Sequence, residues 1–142
     1  MKTSHVRGVI AGAFDVIHPG YIHMFKESHK HCDYLTVCLH VDPTANGKMM
    51  PILTKEERIE ILSSIRFVDE VICYYTEHDL ETILQREKYD VRILGIDYKG
   101  RSFTGHDLSK KTVFIDRDHG WSATKYKKMI SDSLNNKKQK IP

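Results

Sequence analysis

The chain alternates short, nearly continuous apolar runs with segments whose apolar residues recur at helical spacing. Strands are predicted over 6–11, 33–41, 91–96 and 112–115. A further strand, the third in chain order, is predicted to follow from segment 65–71 and to extend through residue 75. Such runs are typical of parallel strands that helices cover on both sides. The alternation along the whole chain therefore predicts an α/β fold, with one parallel five-stranded sheet and helices on both faces.

A chain of 142 residues is long enough to form one domain with its own core. We expect a single domain over 1–134 and a basic polar tail over 135–142, where Lys137, Lys138 and Lys140 follow one another closely. The formal net charge of +3 is too small to indicate a nucleic-acid-binding protein.

Segments that would direct the chain to a membrane are not evident. No stretch is apolar over the length that a bilayer requires, and the N-terminal residues lack the apolar core of a signal peptide. Three cysteines, Cys32, Cys38 and Cys73, cannot all pair, and none has C-x-x-C spacing. We therefore expect no membrane association, a cytoplasmic location and reduced, buried thiols.

The first predicted strand is followed by residues that suit a phosphate site. Gly12 and Ala13 are small enough for a close backbone turn, and Pro19 suits the first turn of a helix. His18 is therefore expected at the mouth of that helix. Unpaired N–H groups and the positive end of the helix dipole favour an anion there.

A second anion site is predicted at the start of the last helix. Ser122 is a good N-cap residue, and Arg117 and the hydroxyl of Thr124 lie close to it in sequence. An arginine, two hydroxyl groups and a helix N-terminus together are suited to binding phosphate.

Histidines crowd the first predicted helix. His23, His29 and His31 precede Cys32, but no carboxylate or second cysteine stands at ligand spacing. We interpret them as an exposed helical face and predict no metal site formed by protein ligands.

Segment 11–21 resembles the signature G-T-F-D-x-x-H-x-G-H of the nucleotidyltransferases, and in particular of the glycerol-3-phosphate cytidylyltransferase-like group. His18 matches the first histidine of the signature. Tyr21 stands at the second histidine and Ala13 at the threonine. Tyrosine still donates a hydrogen bond, but it carries no positive charge at neutral pH.

Three further motifs follow in the order of that family. Segment 66–71 resembles R-Y-V-D-E-V, and Gly95 with Asp97 matches G-x-D. Segment 117–124 resembles R-T-x-G-I-S-T-T, with Trp121 and Ala123 as departures. The resemblance extends from about residue 9 to residue 130 and implies a Rossmann-like fold.

The resemblance implies that a substrate phosphate attacks the α-phosphorus of a nucleoside triphosphate and releases pyrophosphate. His18, Lys48 and Arg117 are the predicted catalytic residues. The predicted nucleotide-binding residues are Gly12, Ala13, Phe14, Asp15, His18, Tyr21, Gly95, Asp97, Arg117, Ser122 and Thr124. The predicted substrate-binding residues are Asp42, Lys48, Arg58 and Arg66.

The predicted function is transfer of CMP from CTP to a phosphorylated alcohol such as glycerol 3-phosphate. Two alternatives stay open: an adenylyltransferase that uses ATP, and a non-catalytic nucleotide-binding protein, which the tyrosine at position 21 suggests. Mg²⁺ is expected with the triphosphate, held mainly by phosphates and water. The resemblance of segment 66–71 to an interface segment also implies a homodimer.

Overall fold

The computed structural model describes residues 5–117 and 120–140. Asp118 and His119 of the last motif, residues 1–4 of the predicted domain and residues 141–142 of the predicted tail lie outside this range. The strands are β1 (Arg7–Gly12), β2 (Tyr34–His40), β3 (Glu70–Tyr74), β4 (Val91–Gly95) and β5 (Lys111–Ile115). The α-helices are α1 (Pro19–Ser28), α2 (Lys55–Ser63), α3 (Glu77–Glu87) and α4 (Ala123–Lys140).

All five strands are parallel and stand in the order β3-β2-β1-β4-β5. The chain builds the sheet outward from β1 to β3 and then crosses to β4 on the other side of β1. The winding reverses between β1 and β4, where open α/β sheets bind their ligands. The predicted α/β fold, a Rossmann-like five-stranded parallel sheet in a single domain, is confirmed.

Two apolar clusters cover the two faces of the sheet. One contains Phe25 of α1 and Leu62 of α2 and packs against β1 and β2. The other contains Leu80, Ile83 and Leu84, the three residues of α3 that were predicted to face inward. Burial of these side chains holds the helices against the sheet.

Local sequence signals determine where two helices begin. Thr54 and Glu57 form the predicted capping box of α2, because the Thr54 Oγ accepts from the Glu57 N–H and the Glu57 carboxylate accepts from the Thr54 N–H. Thr76 and Asp79 form a second capping box at the start of α3. Helix α3 ends at Lys88, whose φ of 54° lies in the left-handed region.

The sequence predicts a helix over about 20–31 with Ile22 and Phe25 facing inward, and α1 differs from this prediction in two respects. It ends at Ser28, and His29–His31 form a separate 3-10 turn. Ile22, predicted to face inward, is exposed because the buried side of the helix runs through Tyr21, Phe25 and Ser28 at spacings of four and three residues.

Helix α4 continues to Lys140, over residues that were predicted to form a tail. It also exposes Met129 and Ile130. Within the described residues, no helix combines the length and the apolar character that a bilayer crossing requires.

Candidate active site

A cavity of about 830 Å³ opens at the carboxyl ends of the strands, around the point where the winding reverses. Most of the predicted site residues line it. They are Gly12, Ala13, Phe14, Asp15, His18, Tyr21, Lys48, Gly95, Arg117, Ser122 and Thr124. The cavity therefore brings together residues from all parts of the predicted nucleotide site.

His18 is the N-cap residue of α1. Its Nδ1 accepts a hydrogen bond from the Gly20 N–H over 3.1 Å, and its side chain is buried. A ring nitrogen that accepts carries no proton, so the neutral imidazole has its proton on Nε2. The cap therefore fixes His18 as an Nε2–H donor at the mouth of the helix, where N–H groups and the dipole favour anions.

Three aromatic rings surround the imidazole of His18. Tyr21 stacks on it with ring centroids 4.3 Å apart, and Tyr126 and Trp121 lie 6.0 and 6.1 Å away. Trp121 and Tyr126 also contact one another. This packing limits the positions that the ring can take, which is how catalytic side chains are held in a productive geometry.

Tyr21 both packs on the core and lines the cavity. Its ring contacts Phe14 edge-on at 5.4 Å. Burial raises the pKa of its hydroxyl and the charge of Asp15 acts in the same direction, whereas Arg117 lowers it. Tyr21 therefore stands between the apolar core and the cavity.

The loop after β1 carries backbone strain. Phe14 has a φ of 43°, in the left-handed region that side chains with a Cβ rarely adopt. A Cβ added at Gly12 would lie 3.0 Å from the Phe14 ring, so the small residue makes room for that turn. Such strain concentrates at ligand sites.

Asp15 holds two other segments of the chain in place. Its carboxylate accepts from the backbone N–H groups of Ile52 and Leu53 at 2.7 and 2.8 Å and pairs with the Lys127 Nζ at 2.7 Å. Burial alone would raise the pKa of Asp15, but Lys127 and the two N–H groups together lower it below its ordinary value. Lys127 also lines the cavity, and the sequence analysis did not identify it.

Gly95 and Arg117 meet at the end of β4. A Cβ at Gly95 would lie 2.6 Å from the Asp97 Oδ1 and 2.7 Å from the Arg117 Cδ, so any larger residue there would displace these two side chains. The Arg117 Nη1 lies 3.5 Å from the Asp97 Oδ1, and both side chains are exposed. Asp97 is beside the cavity, not in its lining.

The N-terminus of α4 faces the same cavity. The Ser122 Oγ accepts from the Lys125 N–H at 3.0 Å, which confirms Ser122 as a capping residue. Thr124 lies in the first turn and is exposed on the cavity side. Lys48 approaches from the loop after β2, and its side chain is also exposed.

Three predicted substrate-binding residues lie outside the lining of the cavity. Arg58 is buried under it, with its guanidinium hydrogen-bonded to the carbonyl oxygens of Ala13, His40, Val41 and Thr54. Asp42 caps a 3-10 turn by accepting from Thr44. Arg66 is exposed and stands over the ring of Phe67. The donors of Arg58 hold the loops around the site together, and its contact with a substrate stays a prediction.

The described residues form no cluster of metal ligands. Over 5–117 and 120–140, no three His, Cys, Asp or Glu side chains converge in a way that could hold a cation. The carboxylate of Asp15 is already bonded to Lys127 and two N–H groups.

Residues 9–130 match the family model described as "Cytidylyltransferase-like". The chain is 32% identical to the "Bifunctional protein HldE" of Campylobacter concisus over 131 residues, which are 90% of this chain and 28% of that protein. It is 36% identical to the "FAD synthase" of Picrophilus torridus over 102 residues, 70% of each. The chain thus spans about a quarter of the length of the HldE proteins that it matches.

Solved structures share the fold. A lipopolysaccharide core biosynthesis protein from Thermoplasma volcanium superposes with a TM-score of 0.62 and 33% identity, covering 80% of this chain and 96% of that one. A protein of unknown function from Archaeoglobus fulgidus superposes with a TM-score of 0.60 at 13% identity, which is a likeness of fold alone.

Proposed function

Because the chain belongs to the cytidylyltransferase-like family of nucleotidyltransferases, we propose that it transfers a nucleotidyl group from a nucleoside triphosphate to a small phosphorylated acceptor. One observation carries the proposal. His18 at the N-terminus of α1 and Arg117, Ser122 and Thr124 around the N-terminus of α4 line the same cavity. Two helix N-termini that face one cavity suit a chain of phosphates better than a single anion.

In the proposed reaction, an oxygen of the acceptor phosphate attacks the α-phosphorus. A new P–O bond forms while the bond to the β-phosphate breaks, and pyrophosphate leaves. The protein has to align two anions and stabilise the charge that builds in the transition state. His18 donates its Nε2–H to the α-phosphate, and no nucleophilic side chain is needed.

The remaining groups have separate proposed tasks. Arg117, Ser122 and Thr124 bind the β- and γ-phosphates. Lys48, on an exposed loop, attracts the acceptor phosphate. Mg²⁺ bound to the triphosphate would offset part of its charge. Asp15 and Lys127 hold α4 against the loop after β1, which keeps the two helix N-termini together.

The base of the nucleotide is proposed from the relatives. The name FAD synthase denotes a product that contains an adenosine nucleotide, so we propose adenylyl transfer from ATP first. Cytidylyl transfer from CTP is the second candidate, supported by the description of the family model. For the acceptor, the name of the Thermoplasma protein supports adding phosphorylated sugars to glycerol 3-phosphate as candidates.

A pyrophosphate-release assay tests the proposal. ATP and CTP are each offered with glycerol 3-phosphate, phosphorylated sugars and flavin mononucleotide, with Mg²⁺ present. We expect acceptor-dependent release with one of the two nucleotides. The matched control is His18→Asn, which keeps an acceptor for the helix cap and should be inactive.

A non-catalytic nucleotide-binding protein is the alternative that Tyr21 favours, because the second histidine of the motif is missing. Trp121 is the single tryptophan of the chain and lines the cavity, so its fluorescence reports nucleotide binding directly. Nucleotide binding without pyrophosphate release for any acceptor would favour this alternative.

A further inference from the structure

Arg92 is the second residue of β4, on the face of the sheet that α3 covers. It is only 4% exposed, and the other residues of that strand are apolar or glycine. A Cβ added at Gly105 would lie 2.5 Å from the Leu84 Cδ1 and 3.5 Å from the Arg92 Nη1, which places the guanidinium beside α3. The nucleotide site described above does not use this residue.

Few protein groups bind the guanidinium of Arg92. Its Nη1 donates to the Thr104 carbonyl at 2.6 Å, and its Cζ stands 5.2 Å from the centre of the Phe103 ring. Its Nε is buried without a hydrogen-bond partner among the described residues. No carboxylate in 5–117 or 120–140 forms an ion pair with it.

Arg58 provides an internal comparison. It is 2% exposed, and its Nε, Nη1 and Nη2 all donate to backbone carbonyls. A buried guanidinium can thus be fully hydrogen-bonded in this fold when its role is structural. An arginine stays charged at any working pH, and leaving its donors unpaired in the interior is costly.

Arg92 also lines the cavity. Tyr74 at the end of β3, Glu77 at the start of α3 and Tyr98 after β4 are close enough to act electrostatically on Arg92, and all three line the cavity as well. The surroundings of His18 come instead from α1 and α4. The polar groups around Arg92 therefore come from other elements than the helices α1 and α4 that surround His18.

We propose that Arg92 binds an oxyanion of the acceptor and that the α3 side of the cavity is the acceptor subsite. The term acceptor rests on the proposed function, whereas the binding of an oxyanion rests on the geometry of Arg92. The oxyanion is either the phosphate that attacks or a second anionic group of the same molecule, such as a carboxylate. A phosphate and a carboxylate both accept the charged, coplanar hydrogen bonds that a guanidinium donates.

The test is direct binding, measured by calorimetry on the intact chain. The probes are glycerol 3-phosphate, with one anionic group, and 3-phosphoglycerate, with two. The variant is Arg92→Met, and the matched control is Arg7→Met, since Arg7 lies outside the cavity in an ion pair with Glu87. We expect Arg92→Met to weaken binding roughly thirtyfold or more, with Arg7→Met unchanged.

The pattern over the two probes identifies the group that is bound. If Arg92→Met binds both probes more weakly, Arg92 binds the attacking phosphate. If it binds only 3-phosphoglycerate more weakly, Arg92 binds a second anionic group. Equal binding by the unmodified chain and Arg92→Met, including no binding by either, would overturn the proposal. Nucleotide binding, followed by Trp121 fluorescence, should be the same in both proteins.

Stability separates a binding role from a structural one. Removing a buried charge that has no ion-pair partner among the described residues should leave the melting temperature of Arg92→Met unchanged or higher. If Arg92→Met does not fold, Arg92→Gln replaces it, and full probe binding by that folded variant would overturn the proposal. Binding that depends on Arg92 without any pyrophosphate release would defeat the proposed reaction and leave the subsite standing.

Discussion

The Lys127 Nζ lies 2.7 Å from the Asp15 Oδ2, so a residue of the last helix is ion-paired with the loop that follows the first strand. Both side chains are largely buried, at 16% and 6% exposure. The two N–H groups of Ile52 and Leu53 complete the hydrogen bonds of the carboxylate. The pair thereby fixes the position of α4 relative to α1, on which the two-helix phosphate site depends.

Breaking this pair should destabilise the protein in a pH-dependent way. We expect Asp15→Asn to lower the free energy of unfolding by about 3 kcal/mol at neutral pH. The pKa of Asp15 is below its ordinary value of 3.8, so its contribution is fully present above that pH and is lost as the pH falls through the lower folded value. Urea unfolding at a series of pH values should show that the difference in unfolding free energy between the unmodified protein and Asp15→Asn shrinks only below about pH 4. A constant difference down to pH 2 would contradict the assignment.

The sheet and the location of the site could be predicted because the signals for them are local. Continuous apolar runs identify β2 and β4, and the capping box at Thr54 marks a helix start within four residues. The small residues before His18 likewise lie beside the strand that positions them. Each of these features depends on residues that are close in sequence.

The contacts that could not be predicted join distant segments. Lys127 stands among other lysines of an amphipathic helix, and nothing local indicates that it alone reaches Asp15. Arg58 follows two glutamates on a helix whose first turn is solvent-facing, yet its guanidinium enters the space between two strand ends. Arg92 interrupts an apolar strand, which is the one sequence signal that could have identified it.

Exchanging His18 should separate its structural role from its catalytic one. His18→Ala loses the N-cap acceptor, which should lower stability by about 1 kcal/mol. His18→Asn keeps an acceptor for the Gly20 N–H, so its melting temperature should be close to that of the unmodified protein. Both should reduce kcat by about a hundredfold or more, since neither presents an Nε2–H donor. Steady-state pyrophosphate release with parallel thermal unfolding measures this, and near-normal turnover in folded His18→Asn would rule out the role.

The homodimer stays a prediction, and the structure suggests which residue tests it. Asp69 is engaged within its own chain, accepting from the Leu35 N–H at 2.8 Å and pairing with His29 at 3.0 Å. Arg66 is exposed and therefore available to a second copy. Light scattering should give twice the chain mass of 16.5 kDa. Arg66→Glu should shift the protein toward the monomer, because in a two-fold interface each substitution occurs twice. A monomer of the unmodified chain at working concentrations would contradict the prediction.

Tyr21 occupies the position of the second histidine in the motif, and its ring lies 4.3 Å from that of His18. We expect its hydroxyl to donate to a phosphate oxygen of the bound nucleotide as a neutral group. Tyr21→Phe keeps the ring and its contact with Phe14, so packing is preserved while the donor is lost. The rate constant should fall by about tenfold to a hundredfold, or on the order of 1–3 kcal/mol, with an unchanged melting temperature. Tyr21→His restores the residue of the motif and should retain or increase turnover. Identical kinetics for the unmodified chain and Tyr21→Phe would show that the hydroxyl has no catalytic role and that His18 is the sole donor of this motif.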